Sequence, residues 1–264
     1  MEKASFKQYL TNRANDKAFM CIIIAYLALC LASAIYWCVE WQARNLMMSL
    51  VFMLFAPLVF IVEHFMKIRF GELFVASVLF LAIGSILGSC FNLYMIIPFF
   101  DTLLHGFSGL IFGCLGFALA ERFFGKASGA GSFFGCLVFA ACFSLSIAVA
   151  WEIFEYACTA AFGVDMMEDT YVTGIKSYLL AGAHTETVDL EGIVKTVVYL
   201  ENGDTYTING YLDIGLIDTL TDMIICAVGT AVFALLLVFS YIKCPRLKEL
   251  IIPRTDISSI PDLN

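Results

Sequence analysis

Charged residues are few in this chain: Asp, Glu, Lys and Arg make up 14% of its 264 residues. A soluble domain needs about 25% to present a polar surface, so that class is excluded. Proline is rare as well, with 5 residues, and little in the chain interrupts a long helix. The 10 cysteines contain no C-x-x-C pair, and none lies between residues 163 and 211. A thiolate zinc framework or a disulfide scaffold is therefore not indicated, and the cysteines read as small apolar packing residues. Cys38, Cys90 and Cys158 fall near the same ends of their helices, which leaves room for one disulfide. There is no nucleotide or haem signature and no internal repeat of the kind many transporters show. A net charge of −8 excludes nucleic acid as a partner.

What is present is apolar. Hydrophobic residues make up 61% of the chain, 25 of them Phe, and the mean hydropathy is +0.89. This is the composition of an integral membrane protein whose partner is the lipid bilayer. Runs at residues 18–39, 45–62, 71–93, 102–120, 133–162 and 212–242 are each long enough for a bilayer core of about 30 Å. The expected fold is an all-α polytopic bundle of six transmembrane helices with a small extracytoplasmic β-hairpin loop. The last two runs exceed the roughly 20 residues a span requires, so those helices should tilt or project beyond the lipid.

Orientation follows from the basic residues. Lys3, Lys7, Arg13, Lys17, Lys67, Arg69, Arg122, Lys126, Lys243, Arg246, Lys248 and Arg254 fall on one side, against Arg44, Lys176 and Lys195 on the other. The positive-inside rule then places residues 1–17 and the tail 243–264 in the cytoplasm, with the 163–211 loop outside. The first run also has a signal-peptide look, a basic start and then Ala32-Ser33-Ala34. It continues through Ile35, Tyr36, Trp37, Cys38 and Val39, which is long enough to remain as a span. In the loop, Val194 to Leu200 and Thr205 to Ile208 flank Glu201-Asn202-Gly203-Asp204, the pattern of a hairpin with Asn-Gly at its turn. His184 reads as a loop residue.

The informative polar residues are acids inside apolar runs. Asp101 and His105, Glu152 and Glu155, and Asp218 and Asp222 form three pairs, each spaced to share one helix face. With the N-terminus inside, the fourth run descends from the outer surface, the fifth rises to it and the sixth descends again. All three pairs then lie in the outer half of the membrane. Asp165 and Asp169 repeat the four-residue spacing at an outer entrance, and Glu63 stands alone in the second run as a natural comparison site. Gly106, Gly109, Gly113 and Gly116 form a small-residue stripe beside the face carrying Asp101, His105 and Ser108, which predicts close packing of the fourth helix against the fifth and sixth.

Carboxylates held together in low dielectric repel one another, so either several are protonated or a cation neutralises them. No Lys or Arg lies in these segments. A divalent metal held by some subset of Asp101, His105, Glu152, Glu155, Asp218 and Asp222 is the economical expectation, with Mg, Mn, Fe, Zn and Ca all compatible.

The blocks Asp101 to Gly109, Trp151 to Tyr156, Asp165 to Thr170 and Gly210 to Asp222, followed by Gly229, resemble the YjdF-like family of bacterial inner-membrane proteins. The resemblance implies a multi-pass protein of the bacterial cytoplasmic membrane with a shared polar site, and it carries no established reaction. A weaker likeness to VanZ-like membrane proteins rests on the Asp-x-x-x-His opening of the fourth helix. Thr102 stands where that family usually has Lys, and Glu155 where Gln is expected, so the glycopeptide-resistance role is not transferred. Three functional readings follow. One is a metal-dependent enzyme acting on a lipid or envelope intermediate, with a remaining acid as general base. The second is a cation- or proton-coupled transporter, and the third a structural or partner-binding membrane protein.

Overall fold

The computed structural model describes residues 6–66, 68–163, 165–244, 247 and 252. In chain order its elements are α1 (Phe6–Ala14), α2 (Lys17–Val39), α3 (Ala43–Phe52), α4 (Phe55–Met66), α5 (Glu72–Cys90), α6 (Leu93–Ile96), α7 (Phe100–Phe124) and α8 (Ala130–Phe162). There follow β1 (Tyr171–Val172), β2 (Gly174–Ser177), α9 (Tyr178–Ala181), β3 (Val188–Glu191), β4 (Thr196–Tyr199), β5 (Thr205–Ile208), β6 (Tyr211–Leu212) and α10 (Leu216–Lys243). Among the described residues, six stretches are long and apolar enough to cross a membrane: Lys17–Val39, Ala43–Met66, Glu72–Cys90, Phe100–Phe124, Ala130–Ala161 and Leu216–Lys243. They are the six runs expected from sequence, with ends moved by a few residues.

Two departures have clear causes. The second span is two helices, broken at Met53 and Leu54. Pro57 has no N–H to offer the carbonyl of Met53 four residues earlier, and its ring crowds that carbonyl, so the helix restarts at Phe55. The sixth helix was expected from residue 212 but begins at Leu216. Ile214 (φ 57°) and Gly215 (φ 88°) are left-handed and cannot extend a right-handed helix, which frees Tyr211 and Leu212 to pair with β1.

The chain divides into two compact units, residues 1–148 with 224–264, and residues 149–223. In the first unit α2 packs against α3 and α5, and α5 packs against α7. Hydroxyls tie α2 to α3: Ser33 and Ser49 lie 2.7 Å apart, and Tyr26 donates to the Phe52 carbonyl. In one core cluster of this unit, Phe117, Phe133, Phe233 and Leu237 are fully or almost fully buried together.

The glycine stripe behaves as the sequence predicted. A Cβ on Gly109 would overlap the Cys226 carbonyl of α10, and one on Gly229 would overlap the Gly106 carbonyl of α7. At Gly113 the obstacle is the Phe233 ring, at 2.6 Å, and at Gly116 it is Ala140 of α8, at 2.9 Å. Backbones this close allow interhelical hydrogen bonds. Ser144 of α8 donates to the Gly109 carbonyl at 3.0 Å, and Thr230 of α10 lies 2.8 Å from the Ser144 hydroxyl and 3.2 Å from the same carbonyl. One peptide group of α7 therefore gathers both neighbours, and each such bond in a membrane contributes about 0.6 kcal/mol.

Glu63 is not the isolated acid its place in the second span suggested. Arg13 of α1 is 1% exposed and donates to Glu63 through Nε at 3.0 Å and Nη2 at 2.9 Å, with its guanidinium 3.6 Å above the Phe19 ring. Nη1 reaches Asp16 at 2.7 Å, Arg69 reaches the same carboxylate at 3.2 Å, and the Phe70 amide and the Tyr9 hydroxyl donate to Glu63. Asp16 in turn caps α2 by accepting from the Phe19 amide at 3.2 Å. A buried carboxylate so fully supplied with donors is a structural clamp, and removing one partner of such a pair typically costs about 3–5 kcal/mol.

In the second unit, three two-stranded ladders fill the stretch between α8 and α10. β1 pairs β6, β2 pairs β3 and β4 pairs β5, all antiparallel. The expected hairpin is β4–β5, with Thr196 opposite Ile208 and Tyr199 opposite Thr205. Its turn uses Gly203 at φ 90°, and Asn202 accepts from the Asp204 amide at 3.0 Å. The other two ladders and α9 were not foreseen, because strands of two to four residues carry almost no periodic signal. His184 is an exposed loop residue with its ring tilted against that of Tyr178.

Gly109→Ala and Gly229→Ala should each destabilise the protein by about 1–3 kcal/mol, since the added methyl meets backbone that cannot move independently. Gly135→Ala, with open space around it, should be tolerated. Thermal unfolding in detergent checks the difference.

Candidate functional site

Asp101 and His105 open α7, one turn apart on the same face. His105 Nε2 lies 3.6 Å from Asp101 Oδ1, with the imidazole buried and the carboxylate half-buried. At that distance the pair is electrostatic and too long for a good hydrogen bond. The opposite ring nitrogen, Nδ1, lies 3.8 Å from Cys226 Sγ of α10. The Cys226 thiol is 3.2 Å from the His105 carbonyl and 3.3 Å from the Ser108 hydroxyl, which itself donates to that carbonyl at 2.8 Å. The first unit thus holds a polar seam of Asp101, His105, Ser108 and Cys226 between two helices that the glycines bring together.

The second unit carries the remaining acids. Glu152 and Glu155 are buried on the last turns of α8, and Trp151 Nε1 donates to Glu155 at 2.7 Å, fixing that carboxylate along the helix. On α10, Asp218 is half-buried and Asp222 is 2% exposed. Asp222 precedes Cys226 by four residues and so lies on the same face of α10. Asp165 and Asp169 sit beyond α8 on exposed backbone. Burial, then the neighbouring charges of Asp165 and Asp213, push the Asp169 carboxyl above its ordinary value.

Asp213 has the reverse balance. Burial works against its charge, but the amides of Ile217 at 2.7 Å, Thr170 at 2.8 Å and Gly215 at 3.2 Å donate to it and hold its pKa below the usual carboxylate value. It thereby fastens the start of α10 to the segment after Asp169, a role that backbone donors suit and that a metal would contest. Asp213 is a structural acid.

The sequence reading named the carboxylates and the imidazole as candidates and did not single out Cys226 or Trp151. Both carried the same signal that found the acids. Cys226 continues the four-residue series from Asp218 and Asp222, and Trp151 stands four residues before Glu155. Cys38, Cys90 and Cys158 are free thiols, so the one disulfide left open is not formed. The donor set of carboxylate oxygens, imidazole nitrogen and thiol is chemically suited to a divalent cation.

No curated protein and no solved structure matches the chain. A family model described as a predicted membrane protein (DUF2238) matches residues 18–243, from the first spanning helix to the end of the last. That match takes in every spanning helix and the β-rich insert, and the chain belongs to the DUF2238 family of predicted membrane proteins.

Proposed function

We propose that this membrane protein binds a divalent cation through some subset of Asp101, His105, Glu152, Glu155, Asp218 and Asp222, and uses it as a metal-dependent enzyme on a lipid or envelope intermediate. What supports the reading is the burial of Glu152, Glu155, Asp222 and His105 within apolar helices. Ionising carboxylates in such surroundings is costly, and a bound cation offsets that cost. A bound cation would polarise a phosphoryl or carbonyl oxygen or lower the pKa of a bound water, and a carboxylate left outside the ligand set would serve as general base. Asp165 and Asp169 mark the side from which a polar headgroup would approach. The YjdF-like resemblance, consistent with the family match, supports a bacterial cytoplasmic membrane, and the distribution of basic residues supports both termini inside.

Cation- or proton-coupled transport is the second reading, and one observation favours it. The second span is broken at Met53 and Leu54, and discontinuous helices of this kind are common in transporters.

Elemental analysis of the purified protein should find a divalent metal, and chelation should lower the melting temperature, because a ligand bound only to the folded state adds stability with its concentration. Glu152→Gln should weaken metal binding, whereas Glu121→Gln, about 30 Å along α7 from Asp101 at 1.5 Å per residue, should not. Absence of metal together with an unchanged melting temperature in chelator would contradict the cation reading. The topology has its own check: a tag at Asn202 should be accessible only from outside intact cells, and labelling only from the cytoplasmic side would invert the placement of the acids.

A further inference from the structure

We infer that β4 is a docking edge for a second copy of this chain. Two β4 strands pair antiparallel about Val198, join their hairpins into one four-stranded sheet, and set each Lys195 against Glu201 of the other copy.

Hydrogen bonding within the hairpin leaves one side of β4 bare. The Leu200 amide donates to the Asp204 carbonyl and the Gly210 amide to the Val194 carbonyl, both at 2.9 Å. These pairs continue the register that sets Thr196 opposite Ile208 and Val198 opposite Tyr206. Bonded residues alternate along an antiparallel ladder, so residues 194, 196, 198 and 200 turn their N–H and C=O groups toward β5, and Lys195, Val197 and Tyr199 turn theirs away. Among the described residues no third strand meets that side. The segment Thr196-Val197-Val198-Tyr199-Leu200 holds no charge and no proline, and its last four residues are exposed. Such an edge is a template for pairing with another chain, and a two-stranded hairpin gains stability when further strands join it.

Charge selects a second copy as the occupant. Lys195 and Glu201 bracket the apolar segment, and both are exposed. A two-fold axis at Val198 pairs Lys195 with Glu201, Thr196 with Leu200 and Val197 with Tyr199, each contact made twice as an isologous interface requires. In this register the outward groups of the odd-numbered residues bond one another, β-branched side chains meet aromatic ones, and two opposite-charge pairs form. A shift of two residues, the smallest that keeps those groups bonded, parts both Lys–Glu pairs. In-register parallel pairing sets Lys195 against Lys195 and Glu201 against Glu201, which like charges oppose. The open edge of β5 lacks this symmetry: Thr205 and Thr207 face outward, with Asp204 at one end and the neutral Asn209 at the other.

Full-length protein in its native membrane carries the test, and residues 163–211 hold no native cysteine to confuse it. Val198 meets its own copy in a non-bonded pair with Cα atoms about 4.5 Å apart, within disulfide range. Under mild oxidation Val198→Cys should form a covalent dimer, with mass spectrometry recovering a disulfide between two peptides that each contain position 198. Thr207→Cys, on the far edge of the four-stranded sheet, should give no such link. Adding either Lys195→Glu or Glu201→Lys to Val198→Cys should lower the dimer fraction about fivefold, and both reversals together should restore it. No dimer from Val198→Cys, an equal yield from Thr207→Cys, or single reversals without effect would overturn the inference. A disulfide from position 198 to a different protein would overturn the second copy as the occupant.

Discussion

Backbone contact between α7 and α10 is the constraint on which the rest depends. Gly109 and Gly229 remove the side chains that would hold the helices apart, and each then meets a carbonyl of the other helix. The approach lets Ser144 and Thr230 converge on the Gly109 carbonyl and brings the Cys226 thiol against the first turns of α7. In lipid no hydrophobic force drives helices together, so close packing and hydroxyl bonds of this kind have to supply the association. The polar seam at His105 is a consequence of that register. A shift of one residue along α10 would rotate Cys226 by about 100° and carry it off the face opposite His105.

The two sets of buried acids show opposite solutions to one electrostatic problem. Glu63 is answered by protein donors, Arg13 foremost, and the result fixes α1 and the start of α2 against α4. Glu152, Glu155 and Asp222 are buried in apolar stretches of α8 and α10, and it is there that we propose a cation. The clamp stabilises a structure; the second arrangement invites a ligand.

Much of this was legible in the sequence because helices of membrane length leave strong signals. The six apolar runs follow from length and hydropathy, and the glycine stripe and the three- and four-residue spacings of the polar pairs from a repeat of about 3.6 residues. The Asn202-Gly203 turn was equally plain, since it needs a left-handed residue. What escaped had no periodic mark. The break above Pro57 depends on one missing N–H, the Arg13–Glu63 pair joins residues 50 apart, and β1 finds β6 across some 40 residues of insert. Cys226 was hidden by its chemistry: a buried cysteine reads as a packing residue until its neighbours are known.

A cysteine at position 108 measures the central contact most directly. Ser108 Oγ lies 3.3 Å from Cys226 Sγ, so the Ser108→Cys thiol would stand close to the native one. Under mild oxidation of the protein in its native membrane, mass spectrometry should recover a disulfide linking the peptide that contains position 108 to the one that contains Cys226. Recovery of both thiols in the reduced form, each open to alkylation, would contradict the register of α7 against α10 and with it the polar seam at His105.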